Sequence, residues 1–189
     1  MPPVNNDHYV AQYVAQFDPI RDEHGWVNEG PGAYAARMRM SLLPEWPEEV
    51  LIEWLHKHAG HVAKYAFLRF ERFAFERQTW PLVRIPGAEA FSDPKFCEDF
   101  SNVEERAAQP YDWLAKYMVG NGTWNTPVVL LDSEELPPTF AEGKRLRRPI
   151  HLLEGHRRLS FLNGLRATGK VLQEHNIWLV RLRAASNET

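Results

Sequence analysis

The run Leu152-Leu153-Glu154-Gly155-His156-Arg157-Arg158-Leu159 decides how this chain folds. Pro149-Ile150-His151-Leu152-Leu153 is an apolar run of strand length that ends at Glu154-Gly155. From about His156 to Thr168 the pattern turns helical, and Gly169 stops it. A glycine therefore stands where a buried strand hands over to a helix. Working outward, Thr126 to Leu131 is a second apolar run, rich in valine, and predicts a strand buried on both faces. A loop with Pro137-Pro138 and the cluster Lys144-Arg145-Leu146-Arg147-Arg148 joins the two. Ile177 to Leu182 supplies the last strand. Strand, loop, strand, glycine, helix, strand predicts an α/β (α+β) fold.

The junction also carries chemistry. First-turn N–H groups of a helix have no internal partner, so they accept an anion readily. Gly155 has no Cβ, which lets the backbone approach a phosphate. Arg157 and Arg158 are cations at the positive end of the helix dipole, an arrangement that costs stability unless an anion sits there. Such a local conflict is expected at a functional site. Arginine suits phosphate because its planar fork donates two parallel hydrogen bonds. Glu154 is the nearest acid, able to hold a divalent cation or position a water against phosphorus. The plainer alternative is that Arg157 and Arg158 pair with acids and Gly155 is only a turn; spacing alone leaves both standing.

Further upstream, Leu82 to Ile85 predicts a short strand closed by Pro86-Gly87. Pro110 to Val119 predicts a helix with Trp113, Leu114 and Tyr117 on one side and Gly120 as its stop. Glu48 to Arg77 reads as helical, interrupted near Gly60, with Pro47 and two glutamates at its start. Its stripe Val62, Ala66, Phe70, Phe73 marks a central scaffold helix. The first forty residues, with Asp18-Pro19 and Gly30-Pro31-Gly32, predict irregular structure and one short helix from Asp7 to Gln16. The expected division is an N-terminal irregular and helical region, residues 1–80, packed on a nucleotide-binding core, residues 81–185, as one compact domain.

Gly155-His156-Arg157-Arg158, after a buried strand and opening a helix, resembles the phosphate-binding signature of the ParB/sulfiredoxin superfamily. Leu82-Val83-Arg84-Ile85-Pro86 resembles the opening strand of that core. The helix near Trp113 and the strand at Thr126-Pro127-Val128-Val129 resemble the elements that follow. The resemblance covers roughly Leu82 to Arg183 and implies a ParB/sulfiredoxin-like core with an N-terminal helical addition. It implies ATP binding, with CTP as the other candidate, through Gly155, Arg157 and Arg158, with Mg or another divalent cation held at Glu154. Catalysis would fall to Glu154, His156, Arg157 and Arg158, and Arg158→Ala is expected to remove hydrolysis with the fold intact. Two departures matter. His156 replaces the cysteine of sulfiredoxins, so reduction of sulfinic acid is not expected. It also replaces the glutamate of ParB-like members, while Glu154 lies two positions earlier. Among single-domain members, the chain resembles plasmid-encoded proteins of fertility inhibition and oncogenic suppression. That likeness implies an ATPase and DNase that blocks conjugative or T-DNA transfer through the type IV secretion route. Its partners would be nucleotide, DNA and a secretion coupling protein or transferred nucleoprotein. The alternatives are a non-catalytic adaptor on the coupling component and a partition-type DNA binder. The chain ends too soon after the signature helix for a helix-turn-helix.

Charge distribution agrees with an anionic partner. The 189-residue chain has a net charge of only −3. From Glu142 to Arg183, however, ten basic residues face three acids, a net of +7 that leaves −10 elsewhere. Lys144, Arg145, Arg147 and Arg148, directly before the signature strand, are the expected DNA contacts, and a solvated basic loop is the alternative. His56, His58 and His61 lack the spacing of a metal site and read as surface or packed histidines. Tyr111, Trp113, Trp124 and Trp178 could stack on bases, but aromatics at such spacing read first as core. One cysteine excludes an intramolecular disulfide. With 44% hydrophobic residues, seven tryptophans, no apolar leader and no spanning segment, the sequence predicts a globular protein of the bacterial cytoplasm. A partner could recruit it to the inner face of the inner membrane.

Overall fold

The structure is a computed structural model that describes residues 6–137 and 145–184. It divides into two units, residues 1–75 with 182–189, and residues 76–181.

In the first unit, helix α1 spans Asn6–Ala15, close to its expected place. Helix α2, Pro31–Ser41, lies in a stretch whose prolines and glycines predicted irregular structure. Pro31 sits in its first turn, where the missing N–H has no partner to lose and the fixed φ already suits a helix. The helix buries Tyr34, Ala35 and Met38. Helix α3, Glu48–Val50, starts after Pro47 with two glutamates in its first turn. It loosens into a π-helical turn, Leu51–His56, and a 3-10 helix, Ala59–Leu68, follows. The predicted helix to Arg77 is not formed: Arg69, at φ 62°, breaks the chain's direction. After a 3-10 turn, Phe70–Arg72, the chain enters strand β1, Phe73–Pro81. Val62, Ala66, Phe70 and Phe73 are all buried, so burial was legible although helicity was not. Phe73, Phe75 and Trp80 favour a strand, where bulky side chains pack on a pleated surface. The core of this unit is aromatic. Trp46 stacks on Phe73 with centroids 5.4 Å apart, and its Nε1 donates to the Phe70 carbonyl at 3.1 Å.

The unit boundary falls within β1, between Phe75 and Glu76. The strand expected at Leu82–Ile85 is instead a 3-10 turn, Leu82–Arg84, hemmed by Pro81 and Pro86, with Val83 exposed. Helices α4, Pro94–Asp99, and α5, Val103–Ala107, follow. Helix α6, Trp113–Asn121, runs through Gly120 and ends at Gly122, which takes the left-handed cap at φ 65°. Its burial also differs from the core reading of Trp113. Ala115 and Met118 are buried, whereas Trp113 is 60% exposed and Tyr117 is exposed as well. Ala115 gives α6 a slim inner face, and the larger rings are left outside.

Strands β2, Val128–Asp132, and β3, Ile150–Glu154, then helix α7, His156–Thr168, and strand β4, Glu174–Leu182, complete the fold. Among the described residues the sheet has four strands in the order β1-β4-β2-β3, with β2 antiparallel to β3 and parallel to β4. The fold is mixed, with an α+β sheet. Val128 to Leu131 are fully covered, as a valine-rich run without polar relief requires. The register slips between Val129 and Leu130: Val129 pairs with Glu154, but Leu130 pairs with Leu152. This bulge bends the end of β3 just where Glu154 leaves the sheet. Leu159, Phe161, Leu162 and Leu165 of α7 pack in one core with Val128, Leu130, Leu152 and Ile177. No helix among the described residues is long and apolar enough to cross a membrane.

Candidate functional site

The strand-to-helix junction forms as the sequence predicts. Gly155 adopts φ 97°, ψ 26° and is the N-cap of α7, so no side chain caps the first-turn N–H groups. A Cβ here would lie 2.6 Å from Cγ1 of Val128, so glycine is required both by the backbone and by close packing on β2. The vacancy expected to admit a phosphate against the Cα is thus filled by Val128. The first-turn amides remain the anion-attracting feature.

The two arginines have different surroundings. Arg158 is buried, at 6% exposure. Its Nη1 donates to the Thr126 carbonyl at 2.9 Å, and its Nη2 pairs with Oε2 of Glu154 one helical turn back. Arg157 is about half exposed, and its Nη2 meets Oδ2 of Asp112 at 2.6 Å. The Arg157 guanidinium also lies 5.3 Å from the Phe161 ring centroid and 6.0 Å from that of Phe100. Asp112 is buried and has two partners, since its Oδ1 accepts from the Ala115 N–H at 3.2 Å and caps α6. The charge conflict at the start of α7 is therefore offset by two carboxylates of the chain itself. His156 meets the rings of Phe91 and Phe96 nearly edge-on, both centroids 5.7 Å away.

Glu154, His156, Arg157 and Arg158 thus converge on one helix start, with Glu154 and Arg158 coupled to each other. Comparison with known protein families, with curated proteins and with solved structures finds no match.

The basic loop is largely engaged with the protein's own backbone. Arg147 donates from Nε to the Phe91 carbonyl at 2.8 Å and from Nη2 to the Ser92 carbonyl at 3.0 Å. Arg148 donates to the Leu136 carbonyl. Arg145 is exposed, and Lys144 lies outside the described residues. Farther along, Arg166 donates to the carbonyls of Leu82, at 2.9 Å, and Ile85, at 2.5 Å, and burial lowers its pKa from the usual guanidinium range. Much of the +7 charge of this segment therefore fastens loops. As candidate metal donors, no three His, Cys, Asp or Glu side chains cluster among the described residues. Glu154 alone fits one corner of a nucleotide–magnesium complex, in which phosphate and water supply the remaining ligands.

Sequence reasoning missed Asp112. Its signal was present, since aspartate immediately before a helix is a favoured N-cap, but the helix start had been set at Pro110. Of the aromatics singled out, Trp124 is buried and its Nε1 donates to the Asn176 carbonyl at 2.7 Å. Tyr111 is 75% exposed and, with Trp113, contradicts the core reading. His56 donates from Nε2 to the Glu29 carbonyl at 2.8 Å, since a carbonyl only accepts.

Proposed function

We propose that this chain is a nucleotide hydrolase of the ParB/sulfiredoxin type that also acts on DNA. In this reading it is encoded on a plasmid and limits transfer of a competing element through the type IV secretion route, as the oncogenic-suppression protein Osa that it resembles. The observation that carries the reading is the left-handed Gly155 between β3 and α7, which sets Glu154, His156 and Arg157 around an uncapped helix start.

The triphosphate would lie on the first-turn amides of α7, where the helix dipole favours anions. Arg157, the exposed arginine, would turn from Asp112 to the transferring phosphoryl group. Arg158 would act through Glu154, holding one carboxylate oxygen so that the other faces water or a nucleotide-bound magnesium ion. Attack by that water on the terminal phosphorus breaks the bond to the bridging oxygen. The water's proton passes to Glu154 or His156 and then to solvent, and the nucleoside diphosphate and inorganic phosphate leave. In the DNase reaction a water held in the same way would attack a phosphodiester, breaking the bond from phosphorus to one sugar oxygen, which would leave as a hydroxyl after taking a proton from His156 or solvent. The protein would work in the bacterial cytoplasm beside a transfer coupling component.

The test is phosphate release from ATP and CTP with magnesium, with and without DNA, beside Glu154→Gln and Arg157→Ala. Each variant should lose roughly a hundredfold in rate, the scale of removing one general base or one charge-stabilising donor, with thermal melting to check that Glu154→Gln, which strands the buried Arg158, is still folded. A wild-type chain that neither binds nor hydrolyses a nucleotide refutes the reading. One observation favours a second one: both signature arginines already have carboxylate partners within the chain. A non-catalytic adaptor that keeps the junction only for its shape would look the same, and a refuting result in this assay supports it.

A further inference from the structure

Helix α6 and the residue before its N-cap carry large exposed aromatic side chains. Tyr111 is 75% exposed, Trp113 60% and Tyr117 36%, in one short segment. Trp113 and Tyr117 are four residues apart on a helix, so their rings are neighbours on one side of it. Exposed aromatics grouped this way mark a contact surface, whereas scattered single ones need no explanation.

The charges around the group decide its chemistry. Lys116, on the same turn of the helix, is exposed, and its Nζ donates to the Pro110 carbonyl at 3.1 Å. Asp112, the acid inside the segment, is buried and neutralised by Arg157 of the signature helix. Beside Arg157 lie partly buried rings that pack against the core and carry a second cation at their edge. Phe100 carries the Arg106 guanidinium 4.7 Å from its centroid and stacks on Phe96 at 4.5 Å, and Phe96 meets His156. Of the nearby acids of α5, Glu104 is offset by Lys170 at 2.6 Å, whereas Glu105 accepts from the neutral Asn102 amide at 2.9 Å and keeps its charge. Aromatic faces interleaved with cations fit a strand of nucleotides, whose bases stack while its phosphates seek positive charge. A duplex offers no base faces to such a surface.

We infer that the outer face of α6 and the turn just before it, through Tyr111, Trp113 and Tyr117, form a stacking platform for single-stranded nucleic acid that leads to the start of α7. This inference rests on the DNA-acting reading above and names its substrate as single-stranded. It places binding on α6 and not on the Arg145–Arg148 loop.

The test is fluorescence anisotropy of a labelled twenty-base oligothymidylate, and of a duplex of equal length, with wild type, Trp113→Ala, Tyr117→Ala and Arg145→Ala. Thermal melting checks that each variant folds. The single strand should bind better than the duplex, and each aromatic replacement should weaken it about tenfold, within the range for loss of one base–aromatic stack. Arg145→Ala should change it much less. Oligothymidylate affinity that Trp113→Ala and Tyr117→Ala leave within twofold overturns the platform, as does preference for duplex. So does absence of binding with a self-association that Trp113→Ala abolishes, which would assign the face to a second copy of the chain. Wild-type nucleotide hydrolysis without DNA separates the two proposals. Hydrolysis with no stacking defeats the platform alone, and stacking with no hydrolysis defeats the enzyme alone.

Discussion

Replacing Arg158 by alanine should destabilise the second unit severely, so it is a poor way to silence a catalytic site. The side chains of Arg158 and Glu154 are 7% and 13% exposed, and they pair one turn apart across the strand-to-helix junction. Removing one partner of a buried ion pair leaves a charge without compensation, at a cost of about 3–5 kcal/mol. The Thr126 carbonyl also loses its donor, but these losses share one cavity and do not add. Against a total stability of about 5–15 kcal/mol, that is roughly a fifth or more. With a urea slope of about 2 kcal/mol per molar, the midpoint should fall by roughly 2 M. The assay is urea unfolding followed by tryptophan fluorescence, for Arg158→Ala, Glu154→Gln and the double variant. Adding Glu154→Gln to Arg158→Ala should recover much of the loss, because the carboxylate no longer sits charged and unmatched. A midpoint that moves by less than about 0.5 M, or a double variant no better than Arg158→Ala, refutes the buried-pair reasoning. Arg157, half exposed, is therefore the arginine to remove when activity is to be read without a folding defect.

Gly164→Ala should lower stability although alanine is ordinarily the better helix former by about 1 kcal/mol. A Cβ at Gly164 would overlap the Ser101 carbonyl oxygen and lie 3.0 Å from its carbon. Overpacking of about 1–3 kcal/mol should therefore win and lower the melting temperature by several degrees in calorimetry, and a rise would refute the close approach. His175, buried, donates from Nε2 to the Leu172 carbonyl at 3.0 Å and accepts from Thr123 at 2.8 Å. Burial lowers its pKa below the ordinary histidine value of about 6.5, so the unfolded chain takes up the proton first as pH falls. The associated stability is fully present above about pH 6.5 and is lost below it, by up to about 1.4 kcal/mol per pH unit. Between pH 7.5 and 5.5, His175→Gln should show the flatter profile of urea midpoints, and parallel profiles would refute the assignment.

The second unit was legible where local pattern and tertiary demand coincide. Val128–Leu131 and Ile150–Leu153 are apolar without alternation, and burial on both faces is the condition that makes such a run a strand. Helix α7 was bounded by Gly155 and Gly169, and both take positive φ. The pattern misled where apolar spacing served two conformations. Phe70 and Phe73 fit a helical stripe, yet the turn at Arg69 places them by different routes in the same aromatic core. Leu82–Ile85 had strand composition, but a four-residue run between two prolines has little room to join a ladder. On α6 the preference for burying tryptophan lost to the tighter packing that Ala115 and Met118 allow. The site residues were all named from sequence except Asp112 and Thr126. Asp112 comes from a cap forty-five residues upstream, and Thr126 acts through a backbone carbonyl that no side-chain pattern encodes.

The asymmetry between the two arginines bears on how any anion would reach this helix. Arg158 has no exposed route to a ligand without breaking a buried pair, whereas Arg157 needs only to release Asp112. Asp112 would keep one partner after that release, because its other oxygen caps α6. A phosphate at the start of α7 would thus exchange one carboxylate for a more highly charged anion beside the same dipole, without leaving Asp112 wholly unmatched. The carboxylate left behind would still sit beside Trp113, on the helix proposed to hold the single strand. Nucleotide binding and strand binding would then meet at Asp112. By linkage, any effect of the nucleotide on oligonucleotide affinity must be matched by an equal effect of the oligonucleotide on nucleotide affinity.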